Sequence, residues 1–225
     1  MTYNLLIGQR LYSSWSLRGW LPFAVHDIPV TVHDTLLYGD AFYDDVAKFG
    51  GNRTVPTVKT PEGGIWADSL SICWGLADAF PDRGLLPTDP IARAQAQSLI
   101  AEMHSGFTAL RGDCPMNLAT GWLGFVPSEA VKTDLSRIDA VWSSALDASN
   151  GPFLFGEYGL VDAFFAPVAI RIAGYDLPVS ETAKTYVTAQ LYHPAMQQWR
   201  KDGLMLDTEL SQYDMALERC PFPMP

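Results

Sequence analysis

A pair of polar residues, Asp68 and Ser69, stands directly before an apolar segment with helical spacing that extends to Phe80. Asp and Ser are preferred residues at the start of a helix. The N–H groups of a first helical turn have no partner within the helix, so together they can bind a carboxylate. The pair therefore predicts either a carboxylate site or a plain helix cap.

The chain before this pair has the pattern of a turn followed by a hairpin. Val55-Pro56 precedes the short run Thr57–Lys59, and a residue before proline is pushed toward extended geometry. Turn residues follow at 61–64, and Ile65–Ala67 is typical of a returning strand. The sequence thus predicts a hairpin that leads directly into the helix start at Asp68.

Ser13 and Ser14 form a second polar pair before an apolar segment, here residues 15–25. Their hydroxyls can cap the first turn of a helix, or they can donate to an anion at the positive end of that helix. Tyr12, one residue earlier, carries a third hydroxyl. The sequence therefore places three O–H groups beside a predicted helix start.

The elements that position these residues follow a regular order in the first eighty residues. Strands are predicted at 3–7 and 30–35, a helix rich in Leu, Trp and Phe at 15–25, and a weaker helix at 42–49 that ends at three residues, Gly50, Gly51 and Asn52. With the hairpin and the helix up to Phe80, the order is β-α-β-α-β-β-α. This is the thioredoxin-like order.

Proline and glycine residues between 81 and 90 indicate a linker, which divides the chain into domains 1–83 and 90–225. Strand signals almost disappear after residue 91, and the second domain is predicted to be all-helical. The last six residues contain three prolines and are predicted to form a loose or surface-packed tail. The predicted helices are 91–110, 128–148, 160–172, 180–190 and 194–201.

Composition excludes several classes of function. The chain has 225 residues, of which 48% are hydrophobic and 18% charged, so a folded protein with a substantial core is expected. A formal charge of −10 argues against nucleic acid and anionic membrane surfaces as partners. No window approaches the ~18 uninterrupted apolar residues of a membrane span, and residues 1–8 are typical of a strand rather than a signal peptide.

The cysteines and histidines show no spacing for metal or disulfide chemistry. The three cysteines are far apart and include no Cys-x-x-Cys, which fits a reducing compartment, so a cytoplasmic protein is expected. The four histidines lack ligand spacing, and the chain has no Gly-x-Gly-x-x-Gly or Gly-Lys-Ser/Thr loop. No metal site or nucleotide site is predicted.

The Val-Pro turn, the hairpin and the Asp-Ser pair together resemble the glutathione-binding half of the glutathione transferase superfamily. In that family the Val-Pro peptide is cis, the residue before the proline pairs with the cysteinyl part of glutathione, and the acidic-Ser pair holds the γ-glutamyl end. The resemblance covers nearly the whole chain and implies an α/β thioredoxin-like N-terminal domain plus an all-α C-terminal domain. The glutathione-binding residues that it implies are Ser13, Ser14, Trp15, Thr54, Val55, Pro56, Asp68 and Ser69.

Residues 12–18 resemble the Ser-Ser-Cys-x-x-Arg signature of the zeta class, with Trp15 in place of the cysteine. By that match the catalytic residues are Ser13, as the activating hydroxyl, and its neighbour Ser14. Tyr12 is a competing activator, since other classes use a tyrosine near this strand end. Tryptophan at the cysteine position argues against zeta-type isomerase activity and favours a bacterial zeta-related subgroup.

The second domain would supply the pocket for an electrophile. His104, Phe107 and Arg111 follow at helical spacing, so they are predicted to share one helix face. Arg111 aligns with a polar position that the zeta class uses near glutathione, and a cation there would suit an anionic ligand. Tyr12 and Asn117 complete the predicted electrophile pocket.

A further motif, at residues 156–162, resembles the family's helix-capping motif, with Gly159 in place of the usual Ser or Thr. Asp162 can still accept from the N–H of the capping residue. This motif is predicted to be structural rather than catalytic.

Together these observations predict an enzyme: a cytoplasmic, homodimeric glutathione transferase that adds the thiolate of glutathione, its cosubstrate, to a small electrophile, as in detoxification. Two alternatives remain open. One is a zeta-type glutathione-dependent isomerase or dehalogenase, and the other is a non-catalytic binding protein with the same fold.

Overall fold

The computed structural model describes residues 2–50, 53–149 and 151–224 of the chain. Gly51 and Asn52, which belong to the predicted helix end, lie outside these ranges. Within them, no helix is long and apolar enough to cross a membrane. The described side chains also include no group of three His, Cys, Asp or Glu residues placed to hold a metal ion.

A four-stranded sheet organises the N-terminal half. Strand β1 (Tyr3–Ile7) lies in its interior, parallel to β2 (Val30–Asp34) on one side and antiparallel to β3 (Thr57–Lys59) on the other. The last strand, β4 (Ile65–Ala67), is antiparallel to β3 and forms the hairpin. The strand order is β2-β1-β3-β4.

Three helices complete this half: α1 (Ser14–Val25), α2 (Phe42–Phe49) and α3 (Ser69–Ala79). Helix α1 packs against α3, and the parallel pair β1 and β2 is connected through α1, because parallel strands need a crossover. The predicted order β-α-β-α-β-β-α is confirmed.

Six helices form most of the C-terminal half in the ranges that the structure describes. The central one, α7 (Leu160–Gly174), is buried along nearly its whole length, as its almost continuous apolar sequence predicts. It packs against α1, α4 and α8 and therefore holds the two halves together. The other five helices are α4 (Pro90–Ser105), α5 (Thr108–Asp113), α6 (Glu129–Asp147), α8 (Glu181–Tyr192) and α9 (Pro194–Leu206).

The prediction of a thioredoxin-like half followed by a helical half is confirmed. The prediction of one helix over 91–110 is wrong, because the chain breaks between α4 and α5. Gly106 donates its N–H to Glu102 O at 2.7 Å, and Phe107 adopts a φ of 53°. A left-handed residue ends a helix, so the two segments point their side chains independently.

A two-stranded sheet in the helical half was not predicted. Strand β5 (Thr120–Leu123) pairs antiparallel with β6 (Glu218–Pro221) near the end of the chain. Phe222 follows with 4% of its surface exposed. The prediction of a loose or surface-packed tail is therefore wrong for residues 220–222, and Pro225 lies outside the described residues.

Candidate active site

A cavity of about 740 Å³ lies where the two halves meet. Its N-terminal wall is made by the β1–α1 loop, by residues 37–43 and by residues 53–55. Its C-terminal wall is made by α5 and the loop after it, by one side chain of α7, and by residues 212–213. Because these segments are far apart in sequence, only the complete fold forms the cavity.

Ser13 lies on the cavity wall and also caps α1. Its Oγ accepts from the N–H of Ser16 at 3.3 Å and lies 2.7 Å from the Ser16 Oγ. The Ser16 Oγ in turn accepts from the N–H of Gly8 at 3.0 Å. Ser13 thus serves as a helix cap and still presents its hydroxyl oxygen at the cavity.

Trp15 is held between two guanidinium groups. The carbon of the Arg18 guanidinium lies 4.8 Å from the centre of the Trp15 ring, and that of Arg111 lies 4.9 Å from it. The ring of His104 packs edge-on against the same indole, with the two ring centres 5.2 Å apart. Ser14 and Trp15 both line the cavity, so the first turn of α1 forms one side of it.

Thr54 and Val55 line the cavity beside this helix start. The Val55-Pro56 peptide is cis, which confirms the prediction from the sequence. The carbonyl of Thr54 accepts from the hydroxyl of Thr57 at 3.1 Å, and the carbonyl of Pro56 accepts from the N–H of Asp68 at 3.2 Å. These bonds connect the turn to the start of α3.

Asp68 caps α3 from an unusual backbone conformation, with a φ of 121° and a ψ of 145°. Its Oδ1 accepts from the N–H of Leu70 at 2.6 Å and lies 3.9 Å from Nδ1 of His104. Ser69 is 1% exposed, and its Oγ has no hydrogen-bond partner among the described residues. Non-glycine residues in this region of φ and ψ are costly and concentrate at functional sites.

Neither Asp68 nor Ser69 lines the main cavity. His104 links the two regions, because it lies beside Asp68 on one side and beside Trp15 on the other. The glutathione-binding residues predicted from the sequence therefore fall into two neighbouring groups, one on the cavity wall and one at the start of α3, while Pro56 does not line the cavity.

Four arginines concentrate positive charge at the cavity. Arg53, Arg111 and Arg171 line it, and Arg18 lies fully buried behind Trp15. Burial lowers the pKa of Arg171 to about 10, and it lowers that of Arg111 as well. Burial, with repulsion from Arg171 and Arg111, lowers the pKa of Arg18. No Asp or Glu occurs among the described residues of the cavity wall.

Backbone carbonyl groups hold Arg111 and Arg171 in place. Arg171 donates through Nε to Cys114 O at 2.8 Å and through a terminal N–H to Pro167 O at 3.1 Å. Arg111 donates to the carbonyls of His104 and Gly106, at 3.2 and 3.1 Å. Both side chains are thereby fixed without a carboxylate partner in the described part of the chain.

The structure brings the predicted electrophile residues only partly together. Tyr12 and Arg111 line the cavity, whereas His104, Phe107 and Asn117 do not. Phe107 is buried, and the centre of its ring lies 6.4 Å from that of Phe165 in α7. The side-chain oxygen of Asn117 accepts from two backbone N–H groups of the turn before β5. The predicted shared helix face does not exist, because α4 ends before Phe107.

Several cavity residues were missed from the sequence. Tyr38 and Tyr43 come from the region around the start of α2, and Gln212 and Tyr213 come from the C-terminal segment. The ring of Tyr213 packs 5.0 Å from that of Tyr12. One signal was available for Arg171: it is the basic residue of helix α7, whose sequence is apolar apart from Arg171 and the capping Asp162.

Comparisons with known proteins agree with this geometry. The family description "Glutathione S-transferase, N-terminal domain" matches residues 12–79. A probable maleylacetoacetate isomerase 1 from Drosophila melanogaster is 29% identical over 109 residues, which cover 45% of this chain and 44% of that protein. The chain therefore matches under half the length of this curated relative.

Solved structures extend the likeness to the whole chain. A glutathione transferase homologue from Burkholderia gl BGR1, with bound glutathione, has a TM-score of 0.70 at 20% identity and covers 92% of this chain and 100% of its own. A maleylacetoacetate isomerase from Anaeromyxobacter dehalogenans 2CP-1, with bound dicarboxyethyl glutathione and citrate, has a TM-score of 0.62 at 21% identity, covering 90% and 92%. Residues 12–79 thus match the glutathione S-transferase N-terminal domain, and the chain as a whole has the glutathione transferase fold.

Proposed function

We propose that this protein is a glutathione transferase that adds the thiolate of glutathione to a small electrophile. The observation that carries the proposal is the position of Ser13. Its side chain caps the positive end of α1, and the residue lines the cavity between the two halves together with Thr54 and Val55. The family match over residues 12–79 and the bound glutathione of the Burkholderia neighbour support glutathione as the cosubstrate.

Glutathione is proposed to lie along the groove between α1 and α3. Its γ-glutamyl ammonium would pair with the carboxylate of Asp68, and its γ-glutamyl carboxylate would accept from the Ser69 hydroxyl and the first-turn N–H groups of α3. The buried, unpartnered Oγ of Ser69 fits this assignment, because a buried hydroxyl without a partner is costly. The cysteinyl part would reach the backbone of Val55, with Ser14 orienting the tripeptide near the thiol.

The proposed chemical task of Ser13 is to favour the thiolate. A thiol with a pKa of about 8.5 is mostly protonated at neutral pH, and the thiolate is the nucleophile. Lowering this pKa by about two units requires roughly 2.7 kcal/mol of preference for the charged form. A hydrogen bond from a hydroxyl to a charged group contributes about 1.5–3 kcal/mol, and a helix N-terminus adds about 0.3–1 kcal/mol. Ser13 and α1 together are therefore sufficient.

The electrophile is proposed to carry a carboxylate. The three arginines on the cavity wall, Arg53, Arg111 and Arg171, face a described lining that contains no acidic residue. A buried charge without a partner is costly, so an anionic group of the ligand would stabilise this wall. The dicarboxyethyl glutathione bound to the Anaeromyxobacter isomerase is a carboxylate-bearing adduct, and it supports the same class of electrophile here.

Isomerisation is the second candidate reaction. The isomerases among the similar proteins favour it, and the same thiolate could add reversibly to a conjugated carboxylate. Trp15, which stands in place of the zeta-class cysteine, favours simple conjugation. Dehalogenation requires no further residue, since the thiolate would displace a halide at the same place.

The protein is further proposed to act as a homodimer in the cytoplasm. A groove of about 520 Å³ between α4 and α6 is lined mainly by small and apolar side chains, and Ile91 at its edge is 70% exposed. A second copy covering this face would remove that apolar surface from water. The three cysteines are free thiols, as expected in a reducing compartment. Analytical ultracentrifugation of the wild type and Ile91→Lys tests the dimer, and the variant should shift toward monomer.

A panel of paired electrophiles tests the proposed function. Each pair consists of a carboxylate and its neutral methyl ester, and maleylacetoacetate is included for the isomerase alternative. Arg111→Gln should lower kcat/KM for the carboxylate by roughly tenfold, at the lower end expected for a charged hydrogen bond because Arg111 is only half-buried. The ester should be little affected.

Arg83→Gln is the matched control, since this exposed arginine donates to the carbonyl of His26 and does not line the cavity. Equal losses for acid and ester would refute the anionic electrophile. Binding of glutathione by calorimetry with no turnover of any electrophile would instead support a non-catalytic binding protein.

A further inference from the structure

The hydroxyl of Ser16 lies directly behind the hydroxyl of Ser13. The two oxygens are 2.7 Å apart, and Ser16 is 0% exposed. Among the described residues, the Ser16 Oγ contacts two hydrogen-bonding groups: the N–H of Gly8, which donates to it at 3.0 Å, and the Ser13 Oγ. Either hydroxyl of the pair can donate to the other.

The position of each proton follows from counting donors and acceptors. If Ser13 donates to Ser16, the proton of Ser16 has no acceptor within the described contacts, and a buried donor is left unpaired. If Ser16 donates to Ser13, its proton is satisfied and its oxygen still accepts from Gly8. The O–H of Ser13 is then free to point into the cavity that Ser13 lines.

We propose that Ser16 is a positioning residue: its hydroxyl donates to the Ser13 Oγ and so directs the Ser13 O–H toward the sulfur of bound glutathione. This inference rests on the proposed function, since it assumes that a thiolate occupies the cavity beside Ser13. The chain of donors runs from the Gly8 N–H to Ser16, from Ser16 to Ser13, and from Ser13 to the sulfur. Each hydrogen bond in such a chain polarises the next, so Ser13 becomes a stronger donor.

A purely structural role for Ser16 has to be separated from this one. Its oxygen is the acceptor of a buried N–H at the end of β1, and losing that acceptor would destabilise the loop whether or not glutathione is bound. Stability alone therefore does not distinguish the two roles. The ionisation of bound glutathione does, because a structural residue has no reason to change it.

The experiment measures thiolate absorbance of bound glutathione and kcat/KM, both against pH, for Ser13→Ala, Ser16→Ala and the double variant. Ser13→Ala should raise the pKa of the bound thiol by about one unit, the lower end for one charged hydrogen bond. Ser16→Ala should raise it by about half a unit, so that kcat/KM falls roughly threefold below the pKa and recovers above it. The double variant should match Ser13→Ala, because Ser16 acts only through Ser13.

Ser128→Ala is the matched control. The Ser128 Oγ caps α6 by accepting from the N–H of Val131 at 3.3 Å, as the Ser13 Oγ accepts from the N–H of Ser16, and Ser128 does not line the cavity. It should lower stability in urea and leave the pH profile unchanged. If Ser16→Ala does not fold, Ser16→Cys keeps the volume and replaces the O–H by a weak donor, with the same expected shift.

Three results would overturn the inference. If Ser13→Ala shifts the pH profile and Ser16→Ala or Ser16→Cys does not, Ser16 is structural, and the proposed function stands without it. If the effects of the single variants on the thiol pKa add in the double variant, Ser16 does not act through Ser13. A profile that moves in none of the variants would refute both this inference and the activating role of Ser13.

Discussion

Replacing Trp15 by leucine should destabilise the protein by about 3 kcal/mol. The guanidinium of Arg18 is buried, its Nε and one terminal nitrogen have no hydrogen-bond partner in the described structure, and it lies 4.8 Å from the indole centre. A desolvated cation–π contact of this kind contributes about 2 kcal/mol. Arg111, half-buried at 4.9 Å, contributes about 0.5–1 kcal/mol more. Leucine keeps an apolar side chain at this half-buried position but removes the ring, so these contacts make up most of the expected loss.

Urea denaturation monitored by circular dichroism measures this effect, and Trp15→Phe should fall between the wild type and Trp15→Leu. Trp74→Leu is the control, because Trp74 is also half-buried and has no guanidinium over its ring within the described contacts. A double-mutant cycle between Trp15→Leu and Arg111→Gln should give a coupling of about 0.5–1 kcal/mol. A loss below about 1 kcal/mol for Trp15→Leu, or one equal to that of Trp74→Leu, would refute the reasoning.

Three further changes test separate parts of the structure. Asp68→Asn keeps a good helix cap and removes the charge, so the Kd of glutathione should rise roughly tenfold or more by calorimetry; an unchanged Kd would leave Asp68 as a cap only. Burial raises the pKa of Asp162 from 3.8 to about 6, so the folded protein holds a proton that the unfolded chain releases between those values. The free energy of unfolding should therefore fall as the pH rises through this window, and urea melts of Asp162→Asn should lack that part of the fall. Phe222→Ala should cost about 3 kcal/mol by the same melts, whereas a loose tail would give no change.

Much of the fold could be predicted because its signals are local. Asp68 caps α3 through its own side chain, with Oδ1 accepting from Leu70, and such caps are visible as residue types at fixed offsets. The same holds for Asp162, which accepts from the N–H of Gly159 at 2.9 Å, as the capping motif predicts. Long helices with a periodic apolar face, such as α6, were predicted to within one residue.

The errors occur where distant contacts decide the structure. In strand β5, a Cβ at Gly121 would lie 2.9 Å from the sulfur of Cys220, so the glycine permits close pairing with β6. In the sequence alone a glycine does not indicate a strand, and β5 was therefore not predicted. The break at Phe107 depends on one left-handed residue inside a sequence with good helical spacing. Arg171 and Tyr213 reach the cavity only because α7 and the C-terminal segment fold back onto the first half.

The charge of the cavity is opposite to that of the chain, and the hydrogen bonds of its arginines explain how. A net charge of −10 describes the whole chain, most of whose charged side chains lie on the surface, where solvent screens them. Arg111 and Arg171 instead donate to backbone carbonyls, which satisfy their N–H groups without cancelling their charge. A carboxylate partner would have held the same side chains and neutralised them. Carbonyl partners leave a rigid and positive wall, so an acidic protein retains a positive site that suits the proposed anionic electrophile.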